Sequence, residues 1–378
     1  MAKEFNGLPR AGLLQIDPYV PGARPKESDG DVLRLASNEN PYGPSQQAID
    51  AYHALSSQLH RYPDGASLSL RMAIASSFDI DESQIVCGAG SDELISLITR
   101  AYAGPGDEVV ISEYGFLMYR IATLACGARP VMVPEQNYMA NLGAMIDAVT
   151  PSTRIVFIAN PNNPTGTLIP ASAIRQFRND LRDDVLLVLD AAYAEYVDDA
   201  DYRAGDDLVQ EFGNTVVLRT FSKIHGLAAL RLGWAYCPPN VADMLNRARG
   251  PFNVSASAQA AGIAALDDLD HLDHSREQNN LVKKMFCAAI TRAGYSVLPS
   301  AGNFVLVDMT GLDVAEQNAV LMARSLHRFL EENKVLVRPV FGYSLNHHLR
   351  ITIGLEHDMV RVSELMDEFA RTHRRDAA

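Results

Sequence analysis

The sequence predicts an α/β fold: a large domain on a mostly parallel sheet covered by helices, followed by a smaller α/β domain. Two observations carry that prediction. From Gln84 onward, short apolar runs alternate with stretches of helical spacing: IVCG (85–88), EVVIS (108–112), PVMV (130–133), RIVFIAN (154–160), VLLVLD (185–190), TVVLRT (215–220) and LGWAY (232–236). Runs this apolar read as strands buried on both faces, and intervening helices give them parallel order. The second observation is size. A chain of 378 residues, 47% of them hydrophobic, can bury one large core and a second, smaller one.

Taken in order, residues 1–40 carry Pro9, Pro18, Pro21, Gly22 and Pro25 and end in LASNENPYGPS. That composition reads as an irregular N-terminal arm. Helical spacing follows over Gln46–Leu59 and Leu68–Phe78, separated by the turn RYPDGAS. The large domain is expected over 41–284, closing with a helical stretch, Val254–Lys284, that the acidic segment DDLDHLDH interrupts. The small domain, 285–378, is expected to contain SVLP, NFVLVD, VLVRP and LRITIG as strands, a helix through Ala315–Glu332, and a closing helix from Glu356.

A formal net charge of −13 argues against nucleic acid or an anionic membrane as the main partner. Cys87, Cys126, Cys237 and Cys287 are scattered without a C-x-x-C pair, which favours free thiols in a reducing compartment. The N-terminus lacks a signal-peptide core, and no uncharged apolar run reaches the ~18 residues of a membrane span. A soluble, cytoplasmic protein is the expectation, and no metal-ligand set is singled out.

In an open parallel sheet, ligands bind beyond the carboxyl ends of the strands, so the polar residues that follow the apolar runs matter most. Ser222-Lys223 follows TVVLRT, and Gly226 and Arg231 come soon after. A lysine at a buried strand end loses hydration, its pKa falls, and its neutral amine can form a Schiff base with an aldehyde. In IVCGAGSDELISLI, Gly88-Ala89-Gly90-Ser91 leads from a strand to a helix opened by Asp92-Glu93. Free N–H groups at such a start suit a phosphate. The third glycine of a dinucleotide site is missing where Glu93 stands, so a single phosphate is favoured, although a plain tight turn explains this string about as well.

NPNNPTG (160–166) follows a strand directly, where Asn163 can present its amide to a ligand. Asp190 closes a buried strand and needs a cation or a strong donor, or else serves as an N-cap; Tyr193 lies on the same side if the chain turns helically. Arg350, among apolar strand residues, reads as a carboxylate clamp. Arg338 divides evenly between a clamp and a snorkelling edge residue. A strand-end lysine, a strand-end aspartate, an asparagine on a turn and a phosphate cradle together match pyridoxal 5′-phosphate, whose ring nitrogen needs a carboxylate to stay protonated.

At this point the sequence resembles a known family. Ser222-Lys223 with Gly226 and Arg231, NPNNPTG, the Asp190/Tyr193 pair, GSDE and RYPDG resemble the fold-type I pyridoxal-phosphate-dependent aminotransferases. YVPG, LASNENPYGPS, PFNV and LRITIG are similar to the histidinol-phosphate aminotransferase branch of that family. The resemblance implies that Lys223 holds the cofactor and moves the proton, and that Asp190 pairs with the ring nitrogen. It implies further that Asn163 and Tyr193 hold the ring hydroxyl and that Tyr114 stacks on the ring. Ser91, Asp92, Ser222 and Arg231 would hold the phosphate. Tyr62 would reach the phosphate from the other subunit of a homodimer. Arg350 would bind the carboxylate of glutamate or 2-oxoglutarate, and Arg338 with Tyr19 the phosphate of histidinol phosphate. The sequence departs from the family pattern at Ala191, in DAAY, and at Glu113, in SEY. The same chemistry on phenylalanine or tyrosine competes with this reading. So does a phosphothreonine decarboxylase, and a non-catalytic binding protein ranks last because Lys223 is present.

Overall fold

In the computed structural model, which describes residues 9–18, 31–312 and 315–375, the chain enters its first strand before its first long helix. Strand β1 (Leu33–Leu35) pairs in parallel with a strand near the opposite end of the chain, so these residues belong to the small sheet. The expected irregular arm through residue 40 is corrected over this stretch. Leu35 is buried in the small unit's core, and that burial draws the segment into the sheet. Tyr19 lies outside the described residues.

Helices α1 (Gln46–Ala54) and α2 (Leu68–Phe78) then join the large core through Ala48, Leu70 and Ile74. Ser45 starts α1 by accepting the Ala48 N–H at 3.2 Å, a cap that contributes about 1 kcal/mol. Next come β2 (Ile85–Gly88), α3 (Ser91–Tyr102), β3 (Glu108–Ser112), α4 (Leu117–Cys126), β4 (Arg129–Val133), α5 (Leu142–Asp147), β5 (Thr153–Ala159), α6 (Ala171–Asp180), β6 (Leu186–Asp190), α7 (Asp206–Glu211), β7 (Thr215–Thr220) and β8 (Gly233–Tyr236). The seven strands lie in the order β2-β8-β7-β6-β5-β3-β4. Only β8 runs against its neighbours; β3, β4, β5, β6 and β7 pair in parallel. Every residue of β2, β3, β6, β7 and β8 is buried, as a sheet with covered faces requires. Two apolar clusters, one centred on Leu187, Leu189 and Val217 and the other on Val188, Val216 and Leu218, fill its two sides. Alternation of side chains along the strands divides them.

Helix α8 (Pro239–Ala248) leads to α9 (Ala256–Asp267) and α10 (Leu269–Arg292). The predicted acidic break falls at Asp268, which accepts the His271 N–H at 3.2 Å and so starts the second helix. Helix α10 runs unbroken through the boundary placed at 284/285. Its Val282, Phe286 and Ile290 belong to the small unit's core, so that core begins inside the helix. The remaining elements are β9 (Ser296–Val297), β10 (Phe304–Asp308), α11 (Glu316–Glu332), β11 (Val335–Pro339), β12 (His348–Thr352) and α12 (Glu356–Arg375). The small sheet has the order β1-β11-β12-β10-β9, antiparallel except at β1. No helix among the described residues is long and apolar enough to cross a membrane.

Candidate active site

The carboxyl ends of β5, β6 and β7 converge on a cavity of about 360 Å³. Each contributes a side chain that the sequence marks: Asn163 after β5, Asp190 at the end of β6, and Ser222 and Lys223 after β7. Tyr193 reaches the cavity from the turn after β6, Ser91 and Asp92 from the start of α3, and Arg231 from the loop before β8. Arg338 on β11 and Arg350 on β12 close it from the small sheet. The two arginines are register partners across that antiparallel pair. Like charges placed opposite each other are unfavourable unless anions come between them.

Lys223 is held where its amine gains little from water. Its Nζ donates to the Ser37 carbonyl at 3.1 Å and stands 5.7 Å from the centre of the Tyr193 ring. Burial pushes its pKa down to about 8. The Arg350 and Arg231 charges push the same way, against Asp92 and Glu39. The loop that presents it turns tightly at Gly226 (φ +69°), where a β-carbon would lie 2.3 Å from the Gly43 carbonyl oxygen. Only glycine fits so close an approach of two backbones.

Asp190 shows the opposite shift. It is 6% exposed, and burial raises its carboxyl to about 6 against the lowering effect of its donors. Those donors are the Tyr119 hydroxyl at 2.7 Å and the Ala192 N–H at 3.2 Å. The strong donor expected for this carboxylate is therefore a tyrosine from α4. Tyr119 stacks on Phe157 with ring centres 4.6 Å apart.

Tyr193 turns inward and its hydroxyl accepts the Asn38 Nδ2–H at 2.8 Å; burial takes its own pKa up to about 12. Asn38 adopts φ +56° and is tied to β12 through Thr352. Asn163 Oδ1 accepts from Arg350 Nη1, and Arg350 Nη2 donates to the Ala36 carbonyl at 2.8 Å. The segment Ala36–Glu39 is thus a wall of the site. Sequence reasoning gave it no chemical role, although LASNEN was visible as a distinctive string.

The start of α3 has the form of an anion cradle. Gly90 (φ +85°) precedes it, and a β-carbon there would lie 2.5 Å from Arg231 Nη2. No side chain caps this helix, so its first N–H groups remain available to a ligand. Arg231, itself at φ +50°, donates to Ser222 Oγ at 3.2 Å and to Asp92 Oδ2 at 3.3 Å. Glu93 stands where a dinucleotide loop would have glycine. It holds the turn instead, accepting from the Ala89 N–H at 2.6 Å and from Asn253 at 2.8 Å.

Two expected positions fall elsewhere. Tyr114 does not line the cavity; it packs beside Leu306, Val340 and Leu345, with its ring 6.1 Å from that of Tyr138. The aromatic that this segment turns into the cavity is Phe116, together with Tyr119. Phe116 caps the N-terminus of α4, so the two-residue offset from Tyr114 follows from where that helix starts. Tyr62 is 83% exposed and stacks on Phe252 with centres 4.6 Å apart, away from the cavity of its own chain. Ala191 is buried in the large core and Glu113 accepts from the Glu135 N–H, so neither departure from the family pattern alters the lining.

The model of the family described as aminotransferase class I and II matches residues 30–367. The chain belongs to that family. This aminotransferase is 47% identical to the histidinol-phosphate aminotransferase of Paramagnetospirillum magneticum, over 96% of this chain and 98% of that one. It is 46% identical to the protein of the same name from Rhodospirillum centenum, over 96% and 99%. Among solved structures, the histidinol-phosphate aminotransferase of Sinorhizobium meliloti in complex with pyridoxal-5′-phosphate superposes with a TM-score of 0.83. It is 28% identical and the match covers 90% of this chain and 91% of that one. An aspartate aminotransferase from Thermus thermophilus shares the fold, with a TM-score of 0.78 at 20% identity.

The donor set of the aminotransferase fits a phosphorylated pyridine aldehyde. The uncapped helix start, with Ser222 and Arg231, matches the phosphate, and the amine with a lowered pKa matches the aldehyde. Asp190 matches the ring nitrogen: its hydrogen-bond donors among the described residues are neutral, and a pyridinium would supply the cation its burial calls for.

Proposed function

We propose that the protein is a pyridoxal-phosphate-dependent transaminase that exchanges an amino group between histidinol phosphate and 2-oxoglutarate, giving imidazole-acetol phosphate and glutamate for histidine biosynthesis. Pyridoxal phosphate supplies an aldehyde for covalent capture and a ring that draws electrons from the substrate Cα–H bond. Lys223 would hold the aldehyde, and its neutral amine would move the proton at the substrate Cα; a pKa near 8 keeps that amine accessible near neutrality. Asp190, oriented by Tyr119, would keep a proton on the ring nitrogen. Asn163 and Tyr193 would serve the ring hydroxyl, and an aromatic of the segment 114–119, where Phe116 lines the cavity, would cover the ring face. Ser91, Asp92, Ser222 and Arg231 serve the phosphate.

The observation that carries the substrate assignment is the facing pair Arg338 and Arg350, both at the cavity wall. Arg350 serves the carboxylates of glutamate and 2-oxoglutarate. Arg338 serves the substrate phosphate, with Tyr19 as its proposed companion. An aromatic amino acid brings no phosphate for Arg338, which disfavours it. The relatives named histidinol-phosphate aminotransferase support the same choice. Tyr62 and Phe252, stacked on each other and both exposed, offer an apolar surface to a second copy of the chain, whose cavity Tyr62 would complete. Its thiols are free, with Cys87 and Cys237 buried, as suits an enzyme of the cytoplasm.

Turnover with 2-oxoglutarate tests the reading. Histidinol phosphate should exceed phenylalanine and tyrosine in kcat/KM, and Arg338→Met should narrow that gap by ~10–100-fold, the effect of losing one charge-assisted contact. Equal losses on all three substrates would remove Arg338 from phosphate recognition. Borohydride reduction followed by peptide mapping should place the cofactor on Lys223; a different lysine would overturn the assignment.

A further inference from the structure

Away from the cavity of Lys223, the small sheet assembles a second constellation of chemistry-bearing side chains. Asp308, the last residue of β10, is the register partner of His348 on β12, and His347 immediately precedes that strand. The two carboxylate oxygens face different rings: Oδ1 lies 3.7 Å from His347 Nε2 and Oδ2 lies 3.7 Å from His348 Nε2. The two imidazole rings are 4.2 Å apart, centre to centre. One ligand atom from each of the three residues lies within 4.8 Å of the other two.

His348 makes the cluster more than a chance grouping. It is 0% exposed, and neither of its ring nitrogens has a hydrogen-bond partner. Buried polar groups in folded proteins are almost always satisfied, so an imidazole with two orphaned nitrogens calls for a partner. The carboxylate beside it does not fill that role, because 3.7 Å exceeds hydrogen-bond reach. The same separation is close to the ~3.4 Å edge of a tetrahedron with metal–ligand bonds of ~2.1 Å. Surrounding contacts already hold the ligands in place. The Thr310 N–H donates to Asp308 Oδ1 at 2.8 Å, the Met309 N–H donates to the His347 carbonyl at 3.1 Å, and the Tyr138 ring packs edge-on against His348. The His347 side chain, 18% exposed, leaves a way in from solvent.

We propose that Asp308, His347 and His348 form a binding site for a divalent transition metal of the Zn²⁺ type, a function separate from transamination. Two imidazoles and one carboxylate are ligands such a metal takes, with the fourth position left to water. The bound ion ties the end of the 341–347 segment to β10. That segment carries Tyr343, which lines the cavity of Lys223, so the metal steadies one wall of the active site without touching the chemistry.

Untagged holoenzyme, stripped with a chelator and desalted, tests the site by titration with ZnCl₂ against a chromophoric zinc chelator. One tight equivalent per chain is expected, with a rise of several degrees in melting temperature from the binding linkage. Co²⁺ in the same place should give the intense visible bands of a four-coordinate centre. His347→Ala and Asp308→Asn should each weaken binding by more than the ~10–100-fold that losing a hydrogen-bond partner of a ligand costs, whereas His357→Ala, at an exposed histidine, should not. His347 is partly exposed, so its variant keeps the test open if Asp308→Asn fails to fold. Absence of a stoichiometric equivalent in the wild type, or binding unchanged in His347→Ala, overturns the proposal.

Discussion

Strand β7 presents two cations a few residues apart, and the protein treats them in opposite ways. Arg219 is 6% exposed, yet it meets Glu195 at 3.0 Å and Asp206 at 2.9 Å, and lies over the Phe78 ring at 4.6 Å. Burial acts to lower its pKa, and the two carboxylates overcome that and raise it. Lys223, beyond the strand end, has its pKa pushed down to about 8 chiefly by burial, with Arg350 and Arg231 adding to the fall and Asp92 and Glu39 failing to offset it. One cation is neutralised and serves only the structure. The other is left poised between charged and neutral, at a cost in stability, and that is the state in which it can do chemistry.

The sharpest way to separate the two is to remove each. Lys223→Ala should lower transamination by roughly three to four orders of magnitude, as loss of a covalent and proton-moving group does. Its fold should survive, because the Lys223 amine contributes one hydrogen bond, to the Ser37 carbonyl, and no ion pair among the described residues; a variant with near-normal turnover would place the base elsewhere. Arg219→Met should do the reverse. It strands Glu195 and Asp206, so thermal or urea unfolding should show a loss of about 3–5 kcal/mol. If the variant melts with the wild type, the ion triad is dispensable and the contrast along β7 fails.

Asp190→Asn extends the comparison to an acid. Rate should fall by about two orders of magnitude, since an amide cannot keep the ring nitrogen protonated. With the cofactor removed, the sign on stability is opposite. The folded carboxyl titrates at about 6 against ~3.9 unfolded, so between those values the folded state holds the extra proton. Wild-type stability therefore falls as pH rises through this window, and the asparagine variant should gain on it from pH ~4 to ~6 and keep the gain above. A flat difference across that range would show that burial does not raise this group. The smallest effect belongs to Tyr119→Phe: loss of one hydrogen bond to Asp190 should cost about 5–10-fold in rate and raise the Asp190 carboxyl further, read as a shift in the pH–rate profile.

Most of the sheet was legible from apolar runs. IVCG, EVVIS and TVVLRT coincide with β2, β3 and β7 residue for residue, because a strand covered on both faces must be apolar throughout. Lys223, Asp190 and Asn163 were legible for a related reason: a polar residue that ends such a strand sits where ligands bind. Tyr119 and Phe116 were not, because one hydroxyl-bearing ring and one phenyl ring in a helical pattern look like core, and which of them faces a cavity depends on where α4 begins. Nor was β1 legible. Three residues are too short to show a period, and the partner that makes them a strand lies at the other end of the chain.

By itself the sequence determined the α/β class, the strand-end residues and the family, since each rests on local pattern or on strings of adjacent residues. Only the tertiary structure decided which distant groups share an environment. It set Tyr119 on Asp190, Asn38 on Tyr193 and Arg338 opposite Arg350, and it gathered Asp308, His347 and His348 at one end of the small sheet. Desolvation and through-space charge depend on distance in the folded molecule, and spacing along the chain carries no record of either.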